Sequence, residues 1–323
     1  MAKYIYSSPF ADEINEFLKI REEAGFSKQS PKSILKKFDQ FCINENITDT
    51  IFTKENALKW TSRIDGEAHT THYARVNCSK QFLAFLFLKG YEVYVFRDVK
   101  FVGTDFQPYI YSYEETERYF KAVDSFTSNQ NRRTALQYPV LFRILYCCGT
   151  RINETLGIRK KDVDLINGII RLNETKNNKQ RYIVVGDDLL ELIREFAERS
   201  FYLLGEDGYI FCTSNGGRLN EKTIYAHHRT FLNTANIPYR GSGFGPRIHD
   251  WRHHMAVYSF KQLVDQGMDM YVALPILSTY LGHKTIFATE HYVRLTLQLF
   301  PYIDEKFRSK TERVFGGVFN ENN

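Results

Sequence analysis

The chain has 323 residues, of which 43% are hydrophobic and 25% are charged, and its formal net charge is +5. This composition is typical of a soluble globular protein, and the length is sufficient for two domains. No apolar stretch approaches the roughly 20 residues of a membrane-spanning helix, and the acidic N-terminal residues do not fit a secretory signal peptide. Because the five cysteines form no CxxC pair, we expect reduced thiols and a cytoplasmic protein with no membrane partner.

The first hundred residues have the apolar spacing of four helices. Two Ser-Pro pairs, at residues 8–9 and 30–31, are typical of helix N-termini. Thr53 is a candidate N-cap for a third helix, and a fourth is expected from about Thr70 to Lys89. We therefore predict a helical domain over residues 1–95, with which the chain directly begins, and no additional arm-type DNA-binding domain before it.

Six basic residues are predicted to lie on the exposed faces of this helical domain. They are Lys28, Lys32, Lys36, Lys37, Arg75 and Lys80. A basic helical face of this kind can contact the phosphate backbone of DNA, although charge alone fits a solvated surface equally well.

The segment 96–108 has no regular period and is interpreted as a linker. Beyond it, Ser112 and Glu115 fit a capping box at the start of a helix. A later apolar helix is expected to end at Gly149. These features place the start of a second domain at about residue 109, and we assign it residues 109–323.

The second domain contains short strand candidates among its helices. Gly168–Leu172 and Arg181–Val185 predict a β-hairpin, and a further short strand is expected at Tyr209–Cys212. The remainder after Asp187 has mostly helical patterns. The predicted fold class is therefore mainly α with a small β-sheet (α+β).

Three separated segments carry residues suited to phosphate chemistry. Arg151 follows a helix-ending glycine, where its planar guanidinium can face an anion; a surface ion pair with Glu154 or Asp164 is the alternative. His249 and Arg252 have the i, i+3 spacing of one helix face. Tyr292 follows the Leu-Gly-His sequence at 281–283 by nine residues. Each segment on its own is weak evidence for a catalytic site, since Tyr292, for example, is one of 21 tyrosines.

The histidines invite a second chemical interpretation, a metal site. The candidates are His249, His253, His254 and His283. Their spacing matches no known zinc pattern, and few acidic or thiol ligands accompany them. We therefore predict no metal site, and we expect His253 and His254 to be ordinary helix residues.

Taken in this order, Gly-x-Arg-Ile-x-Glu, His-x-x-Arg-His and Leu-Gly-His with a tyrosine nine residues beyond resemble the tyrosine recombinase, or phage integrase, family. The resemblance covers about Ser112 to Tyr302, and the helical domain before it is similar in size to the family's core-binding domain. It implies six catalytic residues, namely Arg151, Lys176, His249, Arg252, His283 and Tyr292.

The resemblance also implies a role for each position. Arg151 and Arg252 correspond to the arginine pair that clasps the scissile phosphate, and Tyr292 corresponds to the nucleophile. His249 resembles the proton-handling histidine, and His283 the histidine that supports the phosphate and the tyrosine.

The family's lysine lies in a β-hairpin loop, which the segment 175–181 resembles. Lys176 aligns best with this lysine, and Lys179 is the alternative. Two departures concern subfamily and local packing: the stretch between Arg252 and Leu281 is longer than in many members, and Trp251 stands where leucine is common.

The implied protein is a site-specific recombinase or integrase that acts through a 3′-phosphotyrosine intermediate. Its two domains would form a C-shaped clamp on double-stranded DNA at a specific site, with four protomers on two sites, and it would be nucleoid-associated when bound. No cofactor, metal or ATP is implied. Its biological role would be integration, excision or resolution of a mobile element or plasmid. The segment beyond Arg294 is expected either to contact a neighbouring protomer or to fold back on its own domain.

Three functions are alternatives to a recombinase: a type IB topoisomerase, a DNA-binding regulator and a metal-dependent hydrolase. A type IB topoisomerase would use similar residues to relax supercoils, but the separate helical domain and the short spacing to Tyr292 favour a recombinase. A DNA-binding regulator would not need to retain Lys176 and Tyr292 together.

Overall fold

The computed structural model describes residues 4–26, 29–100, 107–127, 132–173, 180–241, 244–283 and 287–300. The chain divides into two units, Met1–Asp105 and Phe106–Asn323. Among the described residues, no helix combines the length and the apolar character that crossing a membrane requires.

The first unit contains four helices around an aromatic core. They are α1 (Ala11–Glu23), α2 (Gln29–Asn44), α3 (Lys54–Thr61) and α4 (His69–Leu88). Phe38 lies at the centre of this core, with ring centroids 5.2 Å from Phe52 and 5.3 Å from Trp60. Such edge and tilted contacts between rings stabilise a core beyond the area that they bury.

The helix starts in this unit agree with the sequence in part. Thr53 is the N-cap of α3, as predicted, and its hydroxyl accepts a hydrogen bond from the Asn56 amide at 3.2 Å. Helix α1 begins at Ala11 instead of at the first Ser-Pro pair. The Ser8 amide donates to the buried Asp39 carboxylate at 2.9 Å, so this stretch is fastened to α2 before the helix begins.

The segment interpreted as a linker contributes in part to the first unit. Phe96 is buried in the core of this unit, and Val99 packs against the same core. Residues 101–106 of that segment lie outside the described residues.

The prediction that Arg75 lies on an exposed basic face is wrong. Arg75 is 2% exposed, and its guanidinium donates to both oxygens of Glu67, at 2.9 and 2.8 Å. It also donates to the backbone carbonyls of Trp60 and Ser62. These bonds satisfy the guanidinium inside the unit, so Arg75 stabilises the bundle and cannot face a ligand.

The other predicted basic residues differ in exposure. Lys36 and Lys37 are exposed, whereas Lys32 and Lys80 are half-buried. The Lys80 ammonium pairs with Asp98 at 2.6 Å. Lys28 lies outside the described residues.

The second unit contains eight helices of regular α type among its described residues. They are α5 (Tyr113–Asp124), α6 (Arg132–Cys148), α7 (Ile152–Leu156), α8 (Asp187–Ser200), α9 (Glu221–Thr234), α10 (Asp250–Asp265), α11 (Met270–Leu281) and α12 (Phe287–Leu299). Ser112 and Glu115 form the predicted capping box at the start of α5. Short 3-10 turns occur at Lys160–Asp162 and Phe201–Leu203.

An antiparallel sheet of three strands follows the first 3-10 turn. The strands are β1 (Val163–Asp164), β2 (Ile169–Leu172) and β3 (Arg181–Val184), in that spatial order. Ile170 pairs with Ile183 in the register of β2 and β3, and both side chains are buried. The predicted hairpin strands are confirmed within one residue, and the fold is mainly α with a small sheet, as predicted.

The strand predicted at Tyr209–Cys212 is not a regular strand. Only isolated bridges form there, between Arg159 and Tyr209 and between Cys212 and Arg218. The Ile210 amide donates to the Ile158 carbonyl at 3.1 Å. The backbone of residues 209–212 therefore pairs with one segment at its start and with another at its end, and no continuous strand pairing forms.

Helix α10 is the element that places the functional residues. Its Trp251 is fully buried and stacks on Tyr111, with ring centroids 3.8 Å apart and planes inclined by 5°. The Tyr119 ring centroid lies 4.9 Å from that of Trp251. This aromatic cluster fixes the first turn of α10, which contains Arg252 and directly follows His249.

We predict that Arg75→Ala lowers the free energy of unfolding by about 3–5 kcal/mol, because it leaves the Glu67 carboxylate buried without its partner. Urea denaturation of the full chain measures this change. The matched control, Lys37→Ala on the exposed surface of α2, should alter the free energy by less than about 0.5 kcal/mol. Equal effects of the two substitutions would contradict the structural role of Arg75.

Candidate active site

Arg252 joins the three segments that the sequence singled out. It is 1% exposed, and its Nη1 donates to the Gly149 carbonyl at 2.6 Å. Its Nη2 donates to the Leu281 carbonyl at 2.5 Å and to Nε2 of His283 at 3.1 Å. Burial and then the charge of Arg151 lower the pKa of Arg252 to about 10.

No carboxylate of the described residues forms a salt bridge with the Arg252 guanidinium. Two backbone carbonyls and an imidazole satisfy part of its hydrogen-bonding capacity but do not neutralise its charge. A buried cation in this condition is a site for an anion.

The turn before Arg151 is built around Gly149. Helix α6 ends at Cys148, and Gly149 adopts a φ of +58°, in the left-handed region that favours glycine. A Cβ atom at this position would overlap the Met255 side chain. The turn delivers Arg151 to the N-cap of α7, as the sequence predicted.

Arg151 and Arg181 share one buried carboxylate, that of Glu154. Arg151 donates to Oε1 from Nη1 at 2.8 Å and to Oε2 from its backbone amide at 2.9 Å. Arg181 donates to both oxygens, at 2.7 and 2.8 Å. Although burial alone would raise the pKa of Glu154, the hydrogen bonds and charge of Arg181, with the hydrogen bonds of Arg151, lower it to about 2.

His283 is held in one tautomer by its two neighbours. Helix α11 ends at Leu281, and Gly282 follows in the left-handed region with φ +67°. Nδ1 of His283 lies 2.7 Å from the Thr289 hydroxyl, and Nε2 faces Arg252. Because arginine only donates, Nε2 accepts, and we assign the proton to Nδ1. Burial, followed by the charge of Arg252, lowers the pKa of His283 to about 4.

Tyr292 lies on α12 against the two histidines. It is 3% exposed, and its ring is 5.9 Å from His283, inclined by 12°, and 5.4 Å from His253. Burial raises the pKa of Tyr292, while the charge and hydrogen bond of Arg252, with the charge of Arg151, oppose this shift. The phenol is therefore protonated at neutral pH and lies beside cations that stabilise its phenolate.

His249 is the residue that directly precedes α10, and its side chain makes no capping hydrogen bond. Its ring lies 4.9 Å from the ring of His253. Desolvation by the surrounding protein, and then the charges of Arg252 and Arg247, lower its pKa to about 4. The residue also has an exposed part, and a bound anion would relieve the repulsion that the guanidiniums exert on its protonated form.

The structure thus brings together five of the six residues predicted to be catalytic. The five are Arg151, His249, Arg252, His283 and Tyr292. Lys176 and its alternative Lys179 lie outside the described residues. In the parts of the chain that the structure describes, no group of three histidine, cysteine or acidic side chains could hold a metal ion.

Three neighbours of the site were not identified from the sequence. Glu154 forms the ion pair with Arg151 that the sequence offered as an alternative, but its side chain is buried and not on the surface. Thr289 carries no sequence signal beyond its distance of six residues from His283. Arg181 stands at the end of the hairpin loop, where charge alone did not distinguish it from its basic neighbours.

The comparison with protein families decides the class of the protein. The profile described as the phage integrase family matches residues 113–298, which is more than half of the chain. The chain belongs to this family. It is a tyrosine-type site-specific recombinase, as the three motifs predicted.

The chain is also similar to relatives along most of its length. A putative integrase/recombinase, y4rB, of Sinorhizobium fredii is 28% identical and is aligned over 88% of this chain and 93% of its own length. The tyrosine recombinase XerC of Staphylococcus aureus is 24% identical over 91% of this chain and 95% of its own.

Among solved structures, XerH recombinase bound to its difH substrate has a TM-score of 0.64 at 20% identity, covering 87% of this chain and 80% of that one. A lambda integrase dimer bound to a COC′ core site has a TM-score of 0.60 at 16% identity, covering 87% and 76%. These likenesses show that the fold is shared.

We predict that Gly149→Ala lowers the free energy of unfolding by about 1–3 kcal/mol, because the new Cβ meets Met255 and the backbone is strained. Urea denaturation measures the change. In the Met255→Ala background the steric contribution should be absent, so Gly149→Ala should lower the free energy of unfolding by less there than in the parent chain. A single variant as stable as the parent chain would contradict the described turn.

Proposed function

We propose that this recombinase cleaves and rejoins DNA strands by attack of Tyr292 on a scissile phosphate. The single observation that supports this most strongly is Arg252, a buried guanidinium with no carboxylate partner among the described residues, whose positive charge acts on the buried phenol of Tyr292 and opposes the rise of its pKa. A cation and a nucleophile in the same buried site suit an anionic electrophile.

A phosphodiester repels nucleophiles, so positive donors must surround its non-bridging oxygens. In this proposal Arg151 and Arg252 supply those donors, and His283 supports them. A single preorganised donor of this kind contributes on the order of 3–4 kcal/mol to the transition state. With the charge supplied by side chains, the reaction we propose uses no metal ion and no nucleotide.

Attack forms the bond between the Tyr292 oxygen and phosphorus and breaks the bond to the 5′ oxygen. The phenolic proton passes to His249, whose lowered pKa leaves its ring neutral and able to accept it. Lys176, or else Lys179, donates a proton to the departing 5′ oxygen. The products are a 3′-phosphotyrosine and a 5′-hydroxyl.

The phosphotyrosine preserves the energy of the phosphodiester. A 5′-hydroxyl from another strand therefore attacks it, releases Tyr292 and reseals the DNA by the reverse of the same proton transfers. Strand exchange needs two cleaved duplexes, and we propose four protomers on two sites. The solved XerH recombinase is bound to its difH substrate and the solved lambda integrase dimer to a COC′ core site, which supports double-stranded DNA as the partner.

Backbone contacts in this proposal come from the helical first unit as well as from the site. Lys36 and Lys37 are exposed on α2 and are the better candidates for phosphate contacts. Lys32 and Lys80 are half-buried, and Lys28 lies outside the described residues. We propose that the protein acts in the cytoplasm, on the nucleoid or a plasmid, in integration, excision or resolution of a mobile element.

The proposal predicts a covalent protein–DNA complex that depends on Tyr292. The protein is incubated, in chelator, with a duplex that carries a candidate site and a nick that traps cleavage. Denaturing electrophoresis should then show a shifted band that protease removes. Tyr292→Phe should abolish this band, because the ring without its oxygen cannot attack phosphorus.

Tyr280→Phe is the matched control, since this tyrosine lies on the neighbouring helix α11 and has no role in the proposed chemistry. It should form the covalent band as the parent chain does. A band that survives Tyr292→Phe would place the nucleophile elsewhere. DNA binding without any covalent band, on every site tested, would favour the regulator.

A further inference from the structure

Arg181 occupies a position that the proposed chemistry leaves without a role. It is the first residue of β3 and follows the hairpin loop that contains Lys176. Its side chain is 13% exposed, and it forms a two-bonded pair with Glu154, whose side chain is 1% exposed. Burial of both partners makes this pair more than a surface ion pair.

The bonds at Glu154 leave Arg151 with donors to spare. Each oxygen of Glu154 accepts one bond from Arg151 and one from Arg181. Among the described residues, Nε and Nη2 of Arg151 make no hydrogen bond. Arg181 occupies the second acceptor position of both carboxylate oxygens. The Arg151 guanidinium therefore donates to only one oxygen of Glu154 and does not form a two-bonded pair with it.

Arg181 also contacts the turn that precedes His283. An ideal Cβ at Gly282 would lie 3.2 Å from Cδ of Arg181 and 3.4 Å from its Nη1, so the guanidinium lies directly against this glycine. One side chain thus connects the start of α7, the end of the hairpin loop and the turn after α11.

We propose that Arg181 is a positioning residue of the recombination reaction: it occupies Glu154 so that the free donors of Arg151 face the scissile phosphate. This inference rests on the proposed function. It assigns Arg181 no contact with DNA, so its loss should affect the rate of cleavage and not the affinity for DNA.

The sheet offers a matched control in Arg171. This residue on β2 donates to the buried Asp162 carboxylate from Nε and Nη2, at 3.1 and 2.9 Å. It is also an arginine paired with a buried carboxylate, on the neighbouring strand, and its side-chain hydrogen bonds within the described part of the chain go to Asp162 and not to a proposed catalytic residue. Arg171→Gln therefore reproduces the structural cost of a broken pair without the proposed effect on Arg151.

The experiment measures the single-turnover rate of covalent complex formation at saturating protein, together with DNA affinity and melting temperature. Arg181→Gln should slow cleavage on the order of 100-fold, the cost of a displaced catalytic group. Its DNA affinity should stay within about twofold of the parent value. Arg171→Gln should keep the parent rate per folded molecule, whatever its melting temperature.

A double-mutant cycle separates positioning from general structure. If Arg181 acts through Arg151, Arg181→Gln should slow the Arg151→Lys protein by less than about threefold, because the group it positions is already altered. A merely structural role would reduce the rate equally in both backgrounds. If Arg181→Gln is unfolded at the assay temperature, the same rates are measured for Arg181→Lys. Lysine keeps the charge but cannot form the two-bonded pair with Glu154, so this variant should also cleave more slowly than the parent chain.

Parent-like cleavage by Arg181→Gln and Arg181→Lys, or equal losses in both backgrounds, would overturn the inference and leave the proposed function intact. A parent chain that forms no covalent complex would instead overturn the proposed function. The two failures are therefore distinguishable within one set of measurements.

Discussion

The buried guanidinium of Arg252 is the interaction on which the site depends. Its donors reach the Gly149 carbonyl, 103 residues earlier in the chain, and the Leu281 carbonyl, 29 residues later. A buried arginine that lacks these acceptors would carry the full cost of its desolvation. The chain must therefore end α6 and α11 at that point, and glycines in the left-handed conformation end both helices beside it.

Charge balance explains the remaining properties of the site. Arg151 and Arg181 share the Glu154 carboxylate, and Arg252 has no carboxylate of its own among the described residues. The excess positive charge contributes, after burial, to the lowered pKa of His249 and His283. A bound phosphate would supply the missing anion, so the same charges that hold the histidines neutral in the free protein would stabilise a phosphorane-like transition state and the phenolate of Tyr292.

Local signals in the sequence predicted the helix caps and the catalytic motifs well. Thr53 and Ser112 cap their helices because their side chains act within three residues, and a pattern of that range is visible without tertiary structure. The ordered motifs at Arg151, Arg252 and Tyr292 identified the family before any contact was known.

Contacts over longer range could not be predicted in the same way. Arg75 was expected on the surface. It is buried instead, because its guanidinium donates hydrogen bonds to the Glu67 carboxylate and to two backbone carbonyls inside the first unit. The stretch at Tyr209–Cys212 has strand-like residues, yet its backbone partners belong to two different segments. Arg181 resembles any basic residue after a loop, and only the fold reveals that it shares Glu154 with Arg151.

The most direct test of the account is to identify the amino acid that carries the DNA. Nuclease and trypsin digestion of the trapped complex, followed by mass spectrometry, locates the nucleotide adduct. The account predicts a 3′-linked nucleotide on the tryptic peptide 285–294, whose one tyrosine is Tyr292. An adduct on any other peptide, such as that containing Tyr280, would contradict the assignment of the nucleophile and with it the role given to Arg252.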